Sequence, residues 1–214
     1  MITRLRCGLL LALALEAAPA LAFDPFEIQV YDGSIDERHQ AGLELHVNRP
    51  RDGPLHLTLE PSFGLTDFWE LGGYFQTADG RYEGVKLRTK LALPLGRFRA
   101  GVNFELSRIP DEGWGGEIRP ILAFENERFL LAMNPIVSFP AAFEPAAMAK
   151  LKLGLVGLGL EYYATVTPPP REQYLFEAVD LFGVKDVEVN AAVGQGFGAA
   201  NGQLVFKSIL GYAF

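Results

Sequence analysis

Glu44-Leu-His46 and His56-Leu-Thr-Leu-Glu60 set polar side chains at every second position. A spacing of two puts such residues on one face of an extended strand. If the chain folds back about residue 51, His46 comes opposite His56, with Glu44 and Glu60 on the same face. Imidazole and carboxylate together are the donor set of a borderline metal ion or of a proton relay. Two histidines lack a clear third ligand, so the expectation is two lumen histidines hydrogen-bonded to their neighbours, with no metal and no cofactor. The alternation continues with charge. Lys86, Arg88, Lys90, Arg99 and Arg119 fall on polar faces, and folding adjacent segments back pairs Glu70 with Arg88, Lys86 with Glu105 and Glu105 with Arg119. Such a wall attracts anions; with an acid beside each base, a salt-bridge ladder is the favoured reading. Glu161, Glu177 and Glu188 fall in one row with Lys207. Neighbouring carboxylates attract a cation such as Ca²⁺, and otherwise make a solvated acidic wall.

Catalysis has little to work with. Ser62, Ser107 and Ser138 share the polar faces, but none falls opposite a histidine, so no serine–histidine arrangement forms. Gly194-Gln-Gly-Phe-Gly198 has glycines but no helix after it, and is expected to be a flexible surface loop. No catalytic residue is assigned.

The elements that must position these residues are strands. The clearest run is Leu155-Val-Gly-Leu-Gly-Leu-Glu-Tyr-Tyr163, and no stretch carries a helical apolar stripe. Twelve strands are expected near 40–48, 54–63, 67–77, 82–93, 97–108, 115–125, 128–139, 143–153, 155–166, 173–182, 184–194 and 202–214. Most have the length that a tilted strand needs to cross a bilayer. Large apolar residues line one face of nearly every strand and charge the other. Short turns near 64–66, 94–96, 126–127, 154 and 183 alternate with mostly longer connections near 49–53, 78–81, 109–114, 140–142, 167–172 and 195–201. The pattern is that of a closed antiparallel all-β transmembrane barrel, its short turns and both termini in the periplasm. Its polar faces then line the lumen.

The ends of the chain agree with this. Arg4 and Arg6, an apolar run from Cys7 to Leu15 and Ala20-Leu-Ala22 predict a signal peptide over 1–22. The only cysteine, Cys7, goes with it. Residues 26–32 alternate but exceed an even strand count, so 23–39 is expected as a periplasmic or inward-folded segment before a barrel over 40–214. The last strand carries Tyr212 and Phe214. A final alternating strand ending in Phe resembles the C-terminal signature that the barrel-assembly machinery reads. At 214 residues, 49% hydrophobic and 12% aromatic, the chain is too apolar to be disordered. A net charge of −7 without a basic stripe argues against nucleic acid.

Ser62-Phe-Gly-Leu-Thr-Asp-Phe-Trp-Glu-Leu-Gly-Gly73 resembles a hairpin of a broad group of outer-membrane transporter barrels, among them those of the MetA-pathway phenol-degradation type. Glu27-Ile-Gln-Val-Tyr31 and Gly42-Leu-Glu-Leu-His-Val-Asn48 resemble conserved-hypothetical members of the same kind. The resemblance implies a transporter and supplies no catalytic residues. The expectation is an outer-membrane channel or transporter for small polar or charged solutes in a Gram-negative bacterium, in contact with lipid and lipopolysaccharide. Twelve strands imply a narrow or plugged lumen. Two alternatives stand beside it: a non-conducting structural barrel closed by salt bridges and the N-terminal segment, and an outer-membrane enzyme built on His46, His56 and their glutamates.

Overall fold

The computed structural model describes residues 24–110, 113–139, 142–167, 169, 171–182 and 184–214. The expected signal peptide lies outside them. Twelve strands follow in chain order: β1 (Ala41–Pro50), β2 (His56–Thr66), β3 (Trp69–Ala78), β4 (Arg81–Leu95), β5 (Phe98–Ile109), β6 (Gly113–Glu125), β7 (Phe129–Phe139), β8 (Ala142–Leu153), β9 (Val156–Ala164), β10 (Glu172–Leu181), β11 (Val187–Gly198) and β12 (Leu204–Ala213). Each pairs antiparallel with its sequence neighbours, and β1 also pairs with β12, so the sheet closes and no edge is left. Phe214 adds to the seam, its N–H donating to the Ala41 carbonyl at 2.8 Å.

Followed strand by strand, the registers return to β1 about 14 residues from their starting point; with a ~3.3 Å rise and ~4.8 Å strand spacing this gives a tilt of about 40° and a backbone radius of about 12 Å. Side chains from opposite walls then leave a central gap of roughly 10 Å, the thickness that one more extended segment fills between packed faces.

The alternation sorts the faces as a bilayer requires. Leu59, Leu87, Phe104, Leu122, Val179 and Phe206 are exposed on the outside. Asn48, Thr58, Glu60, Asn103, Asn134 and Glu161 point inward and are at most 2% exposed. Apolar side chains thus cover the outside of the barrel and polar ones are gathered in the middle. Prolines locally interrupt the ladder. Pairing between β2 and β3 skips Glu60 and Pro61, and pairing between β6 and β7 skips Arg119 to Ile121, where Pro120 has no N–H to give. Two expectations are corrected. Residues 194–198 belong to β11, because Gly194 and Gly196 pair with Phe176 and Tyr174 of β10, rather than forming a loop. The connection near 183 is not a tight turn, since β10 ends at Leu181 and β11 begins at Val187.

The interior is not uniformly polar. Ala132, Ala146, Met148, Phe176, Ala178 and Ala192 of β7 to β11 form an apolar patch with Ile28 and Val30 of the segment before β1. That segment enters beside Gly64. His39 donates to the Gly64 carbonyl and Gly64 N–H to Gln40, at 2.8 and 2.9 Å. A Cβ at residue 64 would lie 2.1 Å from the Glu37 carbonyl oxygen, so only glycine lets the two backbones pass this close.

Candidate functional site

The lumen is occupied by residues 24–36, which turn at Pro25–Phe26 and bend at Gly33. A segment away from the sheet cannot satisfy its backbone in a ladder, so its polar groups need other partners. Lumen side chains supply them. Asn48 donates to the Pro25 carbonyl at 3.1 Å, Thr58 to Phe26 at 2.9 Å and Lys207 to Ile28 at 2.9 Å. The Asn134 amide imitates a strand neighbour: its oxygen accepts from the Tyr31 N–H at 2.7 Å, and its nitrogen donates to the Tyr31 carbonyl at 3.0 Å. Arg99 donates to the Asp32 carbonyl and carboxylate, and Glu70 accepts from the Asp36 N–H at 2.6 Å.

The period-two pattern of Glu27-Ile-Gln-Val-Tyr31 matches this two-sided interior. Ile28 and Val30 face the apolar patch. Glu27 and Tyr31 face the charged wall. Glu27 takes Arg119 at 3.0 Å and Lys86 at 3.5 Å, and accepts from the Tyr31 hydroxyl at 2.7 Å. Burial alone would raise the Glu27 carboxyl; the Arg119 and Lys86 cations and the Tyr31 hydroxyl bring it down to about 2. The Tyr31 ring lies 4.4 Å from the Arg119 guanidinium and 5.0 Å from the Lys90 ammonium, while its hydroxyl meets that of Tyr74 at 2.6 Å. Burial also opposes ionisation of Asp32, but Arg99 holds its carboxyl below the usual range.

All five basic-wall residues point inward, and each is paired. Arg88 bridges Glu60 at 2.5 Å and also Glu70. Lys86 meets Glu105 at 3.1 Å and Asp24 at 2.5 Å; Lys90 meets Glu70 at 3.2 Å; Arg99 pairs with Asp32 and Glu125. The expected Glu105–Arg119 pair is replaced. Glu105 stands opposite Glu117 in the register, and Arg119 takes Glu117 at 2.7 Å together with Glu27. The sheet register differs by two residues from a simple reflection there, which keeps the faces and changes the partners. Glu27 and Asp32 of the segment and Glu117 of β6 are thus ladder members that spacing between barrel strands alone did not reveal.

The acidic row does not form as expected. Glu161 is inward and bound by Lys207, by Lys150 at 3.1 Å and by the Tyr163 hydroxyl at 2.8 Å. Lys150 and its other partner Asp180, at 2.7 Å, are further members that the sequence pattern left unassigned. Glu188 lies at the solvent-open mouth. Glu177 is outward and exposed; its register partners are Leu160 and Val193. In β10 the inward positions are Tyr174, Phe176, Ala178 and Asp180. Their apolar character faces the patch that receives Ile28 and Val30, and so inverts the expected polarity of that strand.

The histidines also separate. His46 stands opposite Thr58, and His56 opposite Asn48, because the β1–β2 connection runs over residues 51–55. His56 packs edge-on against Phe26 at 4.6 Å. His46 is fully buried, its Nε2 3.1 Å from Glu60 Oε2 and 3.3 Å from Glu44 Oε2. Ser62 gives its hydroxyl to Asp36 at 2.5 Å and Ser138 to Glu144 at 2.5 Å. At the mouth where the segment enters, a cavity of about 430 Å³ remains, lined by Glu44, Lys90, Arg99, Asp180 and Glu188.

No family model and no curated protein matches the chain. Solved structures do. The chain is similar to the KdgM porin, with a TM-score of 0.66 at 13% identity over 81% of this chain and 99% of that one. The same protein in complex with disordered oligogalacturonate gives a TM-score of 0.65 at 13% identity, covering 81% of this chain and 99% of that one. The COG4313 outer membrane channel from Pseudomonas putida F1 gives 0.63 at 10% identity, covering 86% of this chain and 98% of that one. Across nearly their whole length these proteins share with this chain the closed barrel of outer-membrane channels.

Proposed function

We propose that this chain is an outer-membrane channel for small polar or charged solutes whose lumen is closed at rest by residues 24–36. The observation that carries the reading is that the occupant of the lumen is not part of the wall. It is held by side-chain hydrogen bonds and ion pairs, with no ladder to either neighbour, inside a barrel whose inner face is polar and charged. Withdrawal of the segment leaves a charged passage roughly 10 Å wide by the wall geometry above. The channel character of the structural neighbours supports the same conclusion, as does the resemblance of Ser62–Gly73 to MetA-pathway transporter barrels. Solute choice follows from the mouth cavity, where Lys90 and Arg99 face Glu44, Asp180 and Glu188 and favour a solute bearing both signs of charge.

A second reading, a non-conducting structural barrel, draws on the complete pairing of the basic wall. Planar-bilayer recordings separate the two. The full chain is expected to conduct rarely, and a variant with residues 26–31 replaced by Gly and Ser to conduct steadily. Silence of a folded, heat-modifiable replacement variant would make the structural barrel the better account.

A further inference from the structure

We propose that Glu44, His46 and Glu60 form a binding site for a divalent transition-metal ion of the Zn²⁺ class, reached from the mouth cavity. The three side chains come from β1 and β2, where Glu44 stands directly opposite Glu60 and His46 is two residues further along the same inward face. One ligand atom from each lies within 4.8 Å of the other two. Two atoms bonded at ~2.0–2.1 Å to a tetrahedral ion are about 3.3 Å apart. The imidazole Nε2 stands 3.3 Å from Glu44 Oε2 and 3.1 Å from Glu60 Oε2, two of the three edges that three ligands on such an ion make.

The hydrogen bonding leaves room for the ion. An imidazole Nε2 carries at most one proton. When Nε2 carries it, the nearer acceptor is Glu60. Glu44 Oε2, buried and aimed at the same nitrogen, is left without a hydrogen bond. A metal at the shared point would displace that proton to solvent and engage the freed Nε2 lone pair and both carboxylates together. Glu60 is held from behind as a ligating carboxylate is held. Arg88 Nε donates to Glu60 Oε1 at 2.5 Å, which fixes the carboxylate and leaves Oε2 for the ion. Glu44 lines the mouth cavity together with Glu188, which gives the site its route to solvent. Gly211 separates the two: a Cβ there would be 3.2 Å from Glu44 Cγ and 3.1 Å from Glu188 Cβ. The local charge suits a dication, since Arg88 and Lys90 offset only half of the carboxylates Glu44, Glu60, Glu70 and Glu188. One nitrogen with carboxylate oxygens suits Zn²⁺ and its neighbours, whereas Ca²⁺ calls for six to eight oxygens.

The test is Zn²⁺ titration of the full-length barrel, folded in detergent, with metal content measured after desalting and the visible spectrum of the Co²⁺ form recorded in parallel. One ion per chain is expected, with a tetrahedral Co²⁺ spectrum. Glu44→Gln, on the solvent side of the site, should keep the heat-modifiable fold and weaken binding by about 100-fold or more. His46→Gln should do the same, and His56→Gln should bind like the parent. No binding by the parent, or equal binding by parent and Glu44→Gln, would overturn the assignment and leave a hydrogen-bonded carboxylate–imidazole cluster only.

Discussion

Glu27→Gln removes one charge from the centre of the lumen and leaves the shape of the segment intact. Docking lowers the Glu27 carboxyl from 4.5 to about 2, a shift worth about 3 kcal/mol in favour of the docked state at neutral pH. The loss in the variant stays near that figure, because neither cation is stranded: Lys86 keeps Glu105 and Asp24, and Arg119 keeps Glu117. About 3 kcal/mol is a change of roughly 150-fold in the ratio of docked to released segment. The sign fixes the pH profile. A carboxyl held below its free value stabilises docking fully above about pH 4.5, and that contribution fades as the pH falls toward about 2. Single-channel recording at pH 7 should therefore find the variant open far more often than the parent. Acidification below pH 4.5 should raise the open probability of the parent, and that of the variant by less, through the Asp32–Arg99 pair that it keeps. If both proteins show the same open probability at pH 7 and the same acid response, Glu27 does not hold the segment in place, and the charge argument for closure fails.

Gly64→Val should also release the segment, by about 1–3 kcal/mol, since the new side chain meets the Glu37 carbonyl; raised conductance in a normally folded barrel is the readout. Deletion of Phe214 removes the seam hydrogen bond to Ala41 and the ring contact with Tyr212 at 4.9 Å. It should lower the yield of heat-modifiable barrel while leaving the conductance of the remainder unchanged. Glu177→Leu should leave the reversal potential across a salt gradient unaltered and raise resistance to urea, because the carboxylate sits on the lipid face, where charge is unfavourable. An epitope inserted beside Pro169 should be labelled on intact cells; labelling only after permeabilisation would invert the topology.

The strands were legible because lipid on one side and polar contents on the other impose a strict period of two, as Phe98-Arg-Ala-Gly-Val-Asn-Phe-Glu-Leu106 displays. Facing survived errors of register because those errors were even: His56 and Arg119 remain inward although their partners differ. Partner identity was not legible, since it depends on the exact length of each connection. Strand β10 was misread for another reason. The side of the lumen that receives Ile28 and Val30 is apolar, so Phe176 turns inward and Glu177 outward, against the rule that polarity marks the interior. The spacing put Glu44, His46 and Glu60 on one face together with His56; which of them converge depends on which residues of β1 and β2 stand opposite one another.

The partners of the N-terminal segment have a consequence for assembly. Its backbone is held by Asn48 of β1, Thr58 of β2, Arg99 of β5, Asn134 of β7 and Lys207 of β12, the last at a sequence separation of 179 residues. No partial sheet presents all of these at once, and a barrel closed one register step away would present opposite faces of a strand to the segment. The segment thus acts as a template checked against the finished wall. It docks only when the first and last strands have met in correct alignment, which places docking at the end of a slow, high-contact-order folding path. An incompletely sealed barrel and an open channel then share the same undocked tail, and protease accessibility of residues 24–36 would monitor both.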